Sequence, residues 1–297
     1  HRGGGLANTS LPTIAESIAE GARLLGDSRV AEARRTATLL LGHALALDRT
    51  YLLTRSDQQV EDNRFQSFIE MVTRRAAGEP LQYITGHQEF YGIDFLVTPD
   101  VLIPRPETEL LVECVIALAQ SIPSPLIVDV GTGSGCIAVT LASLLQDARL
   151  IATDVSREAV AVASQNAARH DLQARIEFLE GDMLAPLAGR GLEEAIDFLA
   201  SNPPYVPTRD SHLLQRELDW EPRQALFGGV EGLDFYRGLL ADGHRYVKPG
   251  GYLVCEIGYT QLDRIREMIE ATVWSDVIVK DDLQGIPRVL AIKKCLR

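Results

Sequence analysis

No run of eighteen or more apolar residues occurs among the 297 residues, so no segment qualifies as a membrane-spanning helix. The start, His1 to Ser10, lacks both a basic n-region and an apolar h-region, and a soluble, unexported, cytoplasmic protein without a membrane partner is expected. Residues 1–8, which open on His1, Arg2 and three glycines, are expected to be an expression remnant outside the fold. Cysteine is scarce: Cys114, Cys136, Cys255 and Cys295 are scattered, with no CxxC and no histidines at ligand spacing. A structural metal and a disulfide framework are both disfavoured, and buried thiols in a reducing compartment are expected. Positive charge is also short, with 29 Lys and Arg against 41 Asp and Glu for a net charge of −12. Such a balance repels a phosphate backbone unless a local basic groove overrides it. Arg34-Arg35 and Arg74-Arg75 are short clusters of the kind that form solvated helix faces, so no direct nucleic-acid partner is expected.

What is present suits two domains with ordinary cores, the hydrophobic fraction being 46%. From Thr13 to Gly78 the periodicity is helical: Ile14, Ile18, Ala22 and Leu25 share one face, and Phe65, Phe68, Ile69, Val72 and Ala76 share another. Thr13 with Glu16 makes a capping box, and Val30 to Leu47 reads as the central helix of a small bundle, apolar on more than one side. After Gly78-Glu79-Pro80 the texture changes, and Phe90 to Val97 predicts a short hairpin bent at a glycine. A helix is expected over Glu107 to Gln120.

From Leu126 onward strands alternate with helices: Leu126–Val130, a helix from Gly135, Leu150–Val155, a helix from Glu158, Arg175–Glu180, Ile196–Ser201, a helix from Leu233 and Gly251–Ile257. That alternation is the pattern of an α/β fold with a doubly wound, mainly parallel sheet. Val277–Lys280 and Arg288–Lys293 are joined by a short loop and should pair antiparallel at one edge, for seven strands in all. The expected domains are therefore a helical one over 9–84, a hairpin linker over 85–105 and the α/β domain over 106–297.

Leu126–Val130 runs into Gly131-Thr132-Gly133-Ser134-Gly135 and then a helix, a strand–turn–helix junction whose free N–H groups suit an anion. A dinucleotide fingerprint wants Gly or Ala at position 136, where Cys136 stands. GxGxG fits S-adenosyl-L-methionine (AdoMet) better, its carboxylate resting against the turn. Asp154 ends the second strand of the unit, where it can accept both hydroxyls of a ribose. Asp182 and Met183 follow the third strand, where a carboxylate can accept an adenine amino group and an apolar side chain can cover the ring.

Asn202-Pro203-Pro204-Tyr205 stands at the end of the next strand, the place where ligands gather in open α/β sheets. The nitrogen of a carboxamide or an aromatic amine is a weak nucleophile, and two acceptors are needed to hold its two hydrogens. The Asn202 side-chain oxygen and the Pro203 carbonyl can do this, Pro203 and Pro204 keeping that carbonyl rigid, while Tyr205 walls the flat group. No general base is required before transfer, because the proton can leave once the nitrogen is cationic.

The order DVGTGSG, TD, GD and NPPY resembles the amino-methyltransferases that act on planar nitrogens, whether in adenine, rRNA guanine or protein glutamine. Gly78-Glu79-Pro80-Leu-Gln-Tyr-Ile-Thr-Gly86, Glu89-Phe90-Tyr91-Gly92 and Leu102-Ile-Pro-Arg-Pro-Glu-Thr-Glu109 resemble the HemK-type signature. Glu256-Ile-Gly258 and Asp282-Leu-Gln-Gly-Ile-Pro-Arg288 extend the resemblance over essentially the whole chain. It implies a class I methyltransferase that methylates N5 of the glutamine in the GGQ motif of peptide chain release factors. It also implies that the N-terminal helices grip that protein, that Gly131 to Gly135, Asp154 and Met183 bind AdoMet, and that Asn202 to Tyr205 bind the glutamine, with Asn202 expected to touch the cofactor as well. Phe90, Arg105 and Thr108 are expected to line the cleft, although Arg105 could equally pair with Glu107 or Glu109. The stretch 182–202, with Gly189-Arg190-Gly191, is a little longer than the family pattern. Residues 206–232, long and irregular, suggest a substrate-contacting lid. A nucleic-acid amine methyltransferase and a non-enzymatic AdoMet-binding protein are the rival readings, and a monomer is the default.

Overall fold

The structure is a computed structural model, and it describes residues 11–213 and 216–296. The expectation for residues 1–8 lies outside that range. The chain divides into two compact units, one ending at Thr85 and the other starting at Gly86.

The first unit is helical: α1 (Ile14–Asp27), α2 (Ala33–Leu45), α3 (Arg49–Thr54), α4 (Asp62–Ala76) and α5 (Leu81–Thr85). Thr13 caps α1, its hydroxyl accepting from Glu16 N at 3.2 Å while the Glu16 carboxylate accepts from Thr13 N at 2.8 Å. The capping box read from the sequence is therefore formed. Helix α2 starts three residues later than its apolar pattern, because Glu32 takes a left-handed conformation at φ 50°. Ile14, Ile18, Leu25, Leu40, Leu41, Phe68 and Val72 form the buried core. Gly21 lets α1 approach closely, since a side chain there would overlap the Phe68 ring.

The second unit opens with a hairpin, β1 (His87–Phe90) and β2 (Ile93–Leu96), turned at Tyr91 and Gly92, both at positive φ (53° and 74°). Two positive-φ residues match the right-handed twist of the strands they join. The hairpin is fixed to the body by Asn166, whose side chain accepts from Leu96 N at 2.8 Å and donates to Leu96 O at 2.9 Å and Ser134 O at 2.8 Å. A 3₁₀ turn (Pro106–Thr108) then leads into α6 (Glu109–Ala119).

The α/β alternation follows: β3 (Leu126–Val130), α7 (Cys136–Leu144), β4 (Arg149–Asp154), α8 (Arg157–Arg169), β5 (Ile176–Glu180) and β6 (Ile196–Ser201). After the connection 202–233, which contains α9 (Arg223–Leu226), come α10 (Asp234–Gly243), β7 (Val247–Glu256), α11 (Leu262–Glu267), β8 (Trp274–Asp281) and β9 (Pro287–Lys294). The seven strands lie in the order β5-β4-β3-β6-β7-β9-β8, parallel except for β9, which runs antiparallel between β7 and β8. Both faces carry apolar layers, one built on α6 and α7 and the other around α10, which is why β3 and β6 read as continuous apolar runs. Strand β7 begins before the predicted Gly251 because residues 248–251 bulge out of register with β6. Among the described residues no helix is long and apolar enough to cross a membrane, and no cluster of three or more His, Cys, Asp or Glu could hold a metal.

The order reverses at β3, from which the chain winds one way to β4 and β5 and the other way to β6 and β7. The crevice at the C-terminal ends of β3 and β6 is where such sheets take ligands. Asn166→Ala would strand buried backbone groups of the hairpin and the glycine turn. A loss of about 1–3 kcal/mol in unfolding free energy is expected by urea titration, read on both far-UV and near-UV signals.

Candidate active site

A cleft open to solvent lies over the C-terminal ends of β3, β4, β5 and β6. Of the residues expected from the sequence, Gly131, Gly133, Asp154, Asp182, Met183, Asn202, Pro203 and Pro204 line it. Gly131 and Gly133 hold φ of 73° and 56°, and a side chain at either would meet open space. They expose main chain to the cleft, and their left-handed conformation is what only glycine adopts without strain. Gly135 serves packing instead: a Cβ there would come within 3.0 Å of Ala163 on α8. Thr132 and Ser134 are buried beneath the turn.

Asp154 links the glycine turn to the next helix, accepting from Gly133 N and Ser156 N, each at 2.9 Å. Burial raises its pKa, and the backbone amides of Ser156, Gly133 and Val155 oppose the rise. Ser156 caps α8 by accepting from Ala159 N at 3.1 Å. Below the turn, Asp129 is fully buried and accepts from the Thr132 hydroxyl at 2.6 Å. Burial pushes its pKa up to about 7, with the Thr132 hydrogen bond opposing.

Asn202 follows β6, and its Nδ2 donates to the Thr108 hydroxyl at 3.1 Å. Thr108 is buried and donates in turn to Glu256 Oε2 at 2.6 Å. Thr108 thus stands behind Asn202 and is absent from the cleft wall. Tyr205 is also outside the wall, its hydroxyl donating to Glu256 Oε1 at 3.3 Å and its carbonyl accepting from Gln261 Nε2 at 2.9 Å. Burial, then the nearby Glu256 carboxylate, raises its phenol pKa. Phe90 is buried in the layer around α6 and α7, edge-on to Phe95, so it packs the core instead of facing the cleft. Arg105 pairs with Glu221, not with Glu107 or Glu109.

Glu221 carried no role in the sequence reading. It is 4% exposed, accepts from Ile103 N at 3.1 Å as well as from Arg105, and so ties residues 206–232 to the segment before α6. That stretch is less irregular than its sequence suggests, with 3₁₀ turns at Thr208–Leu213 and Arg216–Trp220 and then α9. Pro222, Gln224 and Ala225 form part of the cleft wall. Gly228 and Gly232 pack directly on the carbonyls of Pro204 and Tyr205, respectively. Glu256 and Glu221 were each visible only as an acid in a motif, at the end of an apolar strand and inside Trp220-Glu221-Pro222. Burial was the missing information.

Residues 16–86 match the PrmC N-terminal domain family and residues 106–222 the methyltransferase small domain. The fold agrees, being similar to the hMettl16 catalytic domain solved with a MAT2A 3′UTR hairpin (TM-score 0.57, 16% identity, 80% of this chain and 85% of that one). A methyltransferase from Pyrococcus furiosus is similar at TM-score 0.50 and 18% identity, over 80% of this chain and 100% of that one. At such identities the likeness speaks for the fold alone, and the class is that of a methyltransferase with a seven-stranded sheet. Whole-chain relatives go further. The release factor glutamine methyltransferase of Koribacter versatilis (strain Ellin345) is 44% identical over 88% of this chain and 91% of its own length. That of Moorella thermoacetica is 45% identical over 87% and 90%, and that of Nitratidesulfovibrio vulgaris 40% identical over 98% of each. The chain belongs to the release factor glutamine methyltransferase family.

Asp129 supplies a test of the electrostatics beneath the turn. Its pKa in the fold, about 7, lies above that of an unfolded carboxylate, so the native state binds more protons between roughly pH 4 and 7. Its contribution to stability is present at low pH and is lost as pH rises through 7. Asp129→Asn removes that dependence, and its stability relative to the wild type is expected to improve from pH 5 to pH 8 in urea unfolding.

Proposed function

We propose that this protein methylates the side-chain amide nitrogen, N5, of the glutamine in the GGQ motif of peptide chain release factors, using AdoMet. The observation that carries the reading is one cleft that has Gly131, Gly133 and Asp154 on its wall together with Asn202 and Pro203, in a chain of this family. The N-terminal helices help to grip the protein substrate, and the enzyme works as a cytoplasmic monomer.

The residues fit the cofactor. A carboxylate offers about four lone-pair positions; the Gly133 and Ser156 amides take one on each oxygen of Asp154 and the Val155 amide also bears on it, and the acceptor capacity that remains faces the hydroxyls of a ribose. Gly131 and Gly133 leave room for the methionine part against bare backbone, and Asp182 and Met183 take the adenine. When bound, AdoMet supplies a methyl group on a sulfonium sulfur, open to in-line displacement by the substrate nitrogen.

The chain's own contribution is position. Asn202 Oδ1 and the Pro203 carbonyl each accept one N–H of the glutamine amide, which fixes the amide plane and points the nitrogen lone pair toward the methyl. Pro203 and Pro204 have fixed φ and no N–H, so the carbonyl holds its direction without competing bonds. Tyr205, fixed at both its hydroxyl and its carbonyl, braces the loop from below. The cationic product nitrogen then loses its proton to water, and no side-chain base is needed. The lid contributes Pro222, Gln224 and Ala225 to the wall, where they exclude water from the transfer.

The test is transfer of labelled methyl from AdoMet to purified release factor, with a Gln→Ala variant of its GGQ motif, duplex DNA and ribosomal RNA as parallel acceptors. Label on the wild-type factor alone is expected; label on DNA or RNA instead would overturn the substrate. Asn202→Ala is expected to lower kcat by about a hundredfold or more with AdoMet binding retained, whereas an unchanged kcat would remove Asn202 from the reaction. Asp154→Ala is expected to weaken AdoMet binding by about ten- to a hundredfold in calorimetry.

A further inference from the structure

Glu256 ends β7 beneath the Asn202–Tyr205 loop, and the reaction as described gives it no task. Its carboxylate accepts from Thr108 at 2.6 Å and from Tyr205 at 3.3 Å, and its backbone carbonyl accepts from the Tyr236 hydroxyl at 2.9 Å. Thr108 in turn receives Asn202 Nδ2 at 3.1 Å. A hydroxyl has one hydrogen to give. An ionised Glu256 can only accept, so the Thr108 hydrogen is committed to it and the Thr108 oxygen meets Asn202 only as an acceptor. Asn202 must then present its NH₂ group to Thr108, which leaves its amide oxygen for the cleft.

Protonation reverses the chain. A carboxylic acid at Glu256 can donate to Thr108, whose hydrogen is then free to bond Asn202 Oδ1. The Asn202 amide turns over, and an NH₂ group faces the N–H of the incoming amide, donor against donor.

We propose that Glu256 is a positioning residue for methyl transfer: acting through Thr108, its ionised carboxylate holds the Asn202 amide oxygen toward the substrate nitrogen, and its protonated form releases that orientation. The proposal rests on the functional reading above. It adds a residue that touches neither substrate nor cofactor and acts by fixing the direction of one hydrogen bond.

The surroundings place the switch near neutral pH. Glu107 comes from the turn before α6, Tyr205 from the loop after β6, Tyr236 from α10, Arg288 from β9, Cys136 from the start of α7, and Cys255 adjoins Glu256 on β7. Burial raises the Glu256 pKa to about 7; the Thr108 and Tyr205 hydrogen bonds lower it, Glu107 raises it and Arg288 lowers it. The two thiols are pushed up to about 12 by burial, and both phenols are raised as well. Among these buried groups Glu256 is the one that changes charge near neutrality.

Two measurements test it. In pH–rate profiles of methyl transfer to release factor, the wild type should show an acid limb with a midpoint near 7, activity rising as Glu256 ionises. Glu256→Gln has no proton to gain in that range and should lose the limb. Thr108→Val should lower kcat on the order of ten- to a hundredfold with AdoMet affinity kept, and Thr108→Ser should recover most of the loss. Independently of any acceptor, the side-chain NH₂ resonance of Asn202, assigned by its absence in Asn202→Ala, should move with pH around 7 in the wild type and stay still in Glu256→Gln. An acid limb that survives in Glu256→Gln, a wild-type kcat in Thr108→Val, or an Asn202 resonance indifferent to pH overturns the proposal. No transfer to release factor, with the resonance still titrating as described, strikes the functional reading and leaves the positioning of Asn202 standing.

Discussion

A hydroxyl donates one hydrogen, and at Thr108 that hydrogen goes to a carboxylate that protein encloses on every side. The end of β6, the turn before α6 and the end of β7 are tied together through it, although Thr108 lies 94 residues from Asn202 and 148 from Glu256. Burying a carboxylate is costly unless its oxygens are hydrogen-bonded, and two hydroxyls meet that need here. The same bonds give direction to an asparagine that would otherwise present its oxygen and its nitrogen equally well. Direction is what a methyl transfer to a planar nitrogen requires, because the nucleophile is weak and its two hydrogens must both be held.

The sheet brings these pieces within reach of one another. β3 and β6 are neighbours in parallel register, Ile127 opposite Phe198 and Asp129 opposite Ala200, so the glycine turn and the Asn202 loop emerge side by side. Ser201 reinforces the join by donating to Val130 O at 2.7 Å. β4 supplies Asp154 from the other side of β3, and β5 supplies the Asp182–Met183 corner. The residues that line the cleft thus come from the turns and loops that directly follow four neighbouring strands.

Local chemistry was legible in the sequence. The capping box at Thr13, the hairpin turn at Tyr91-Gly92, the alternation from Leu126 and the antiparallel edge each depend on residues a few positions apart, and periodicity and turn composition encode them. The glycine turn and the proline loop were legible for the same reason. Partners distant in sequence were not. Arg105 had two acids within four residues and bonds instead to Glu221, 116 positions away. Phe90, an aromatic in a signature motif, is taken by the core, where it packs edge-on to Phe95 in the layer around α6 and α7. Thr108 was expected at the cleft and stands one side chain behind it. Residues 206–232 looked irregular because 3₁₀ turns have no strong apolar period, and their order comes from Glu221 and from glycine contacts with the Pro204 and Tyr205 carbonyls.

The most direct measurement is a crystal structure of the protein with S-adenosyl-L-homocysteine and a release-factor peptide carrying GGQ. The expected result is a glutamine side chain whose amide nitrogen lies within hydrogen-bond distance of both Asn202 Oδ1 and the Pro203 carbonyl and faces the cofactor sulfur, with the ribose on Asp154. A glutamine held elsewhere, or an Asn202 that turns its nitrogen to the substrate, would contradict a site built on two fixed acceptors.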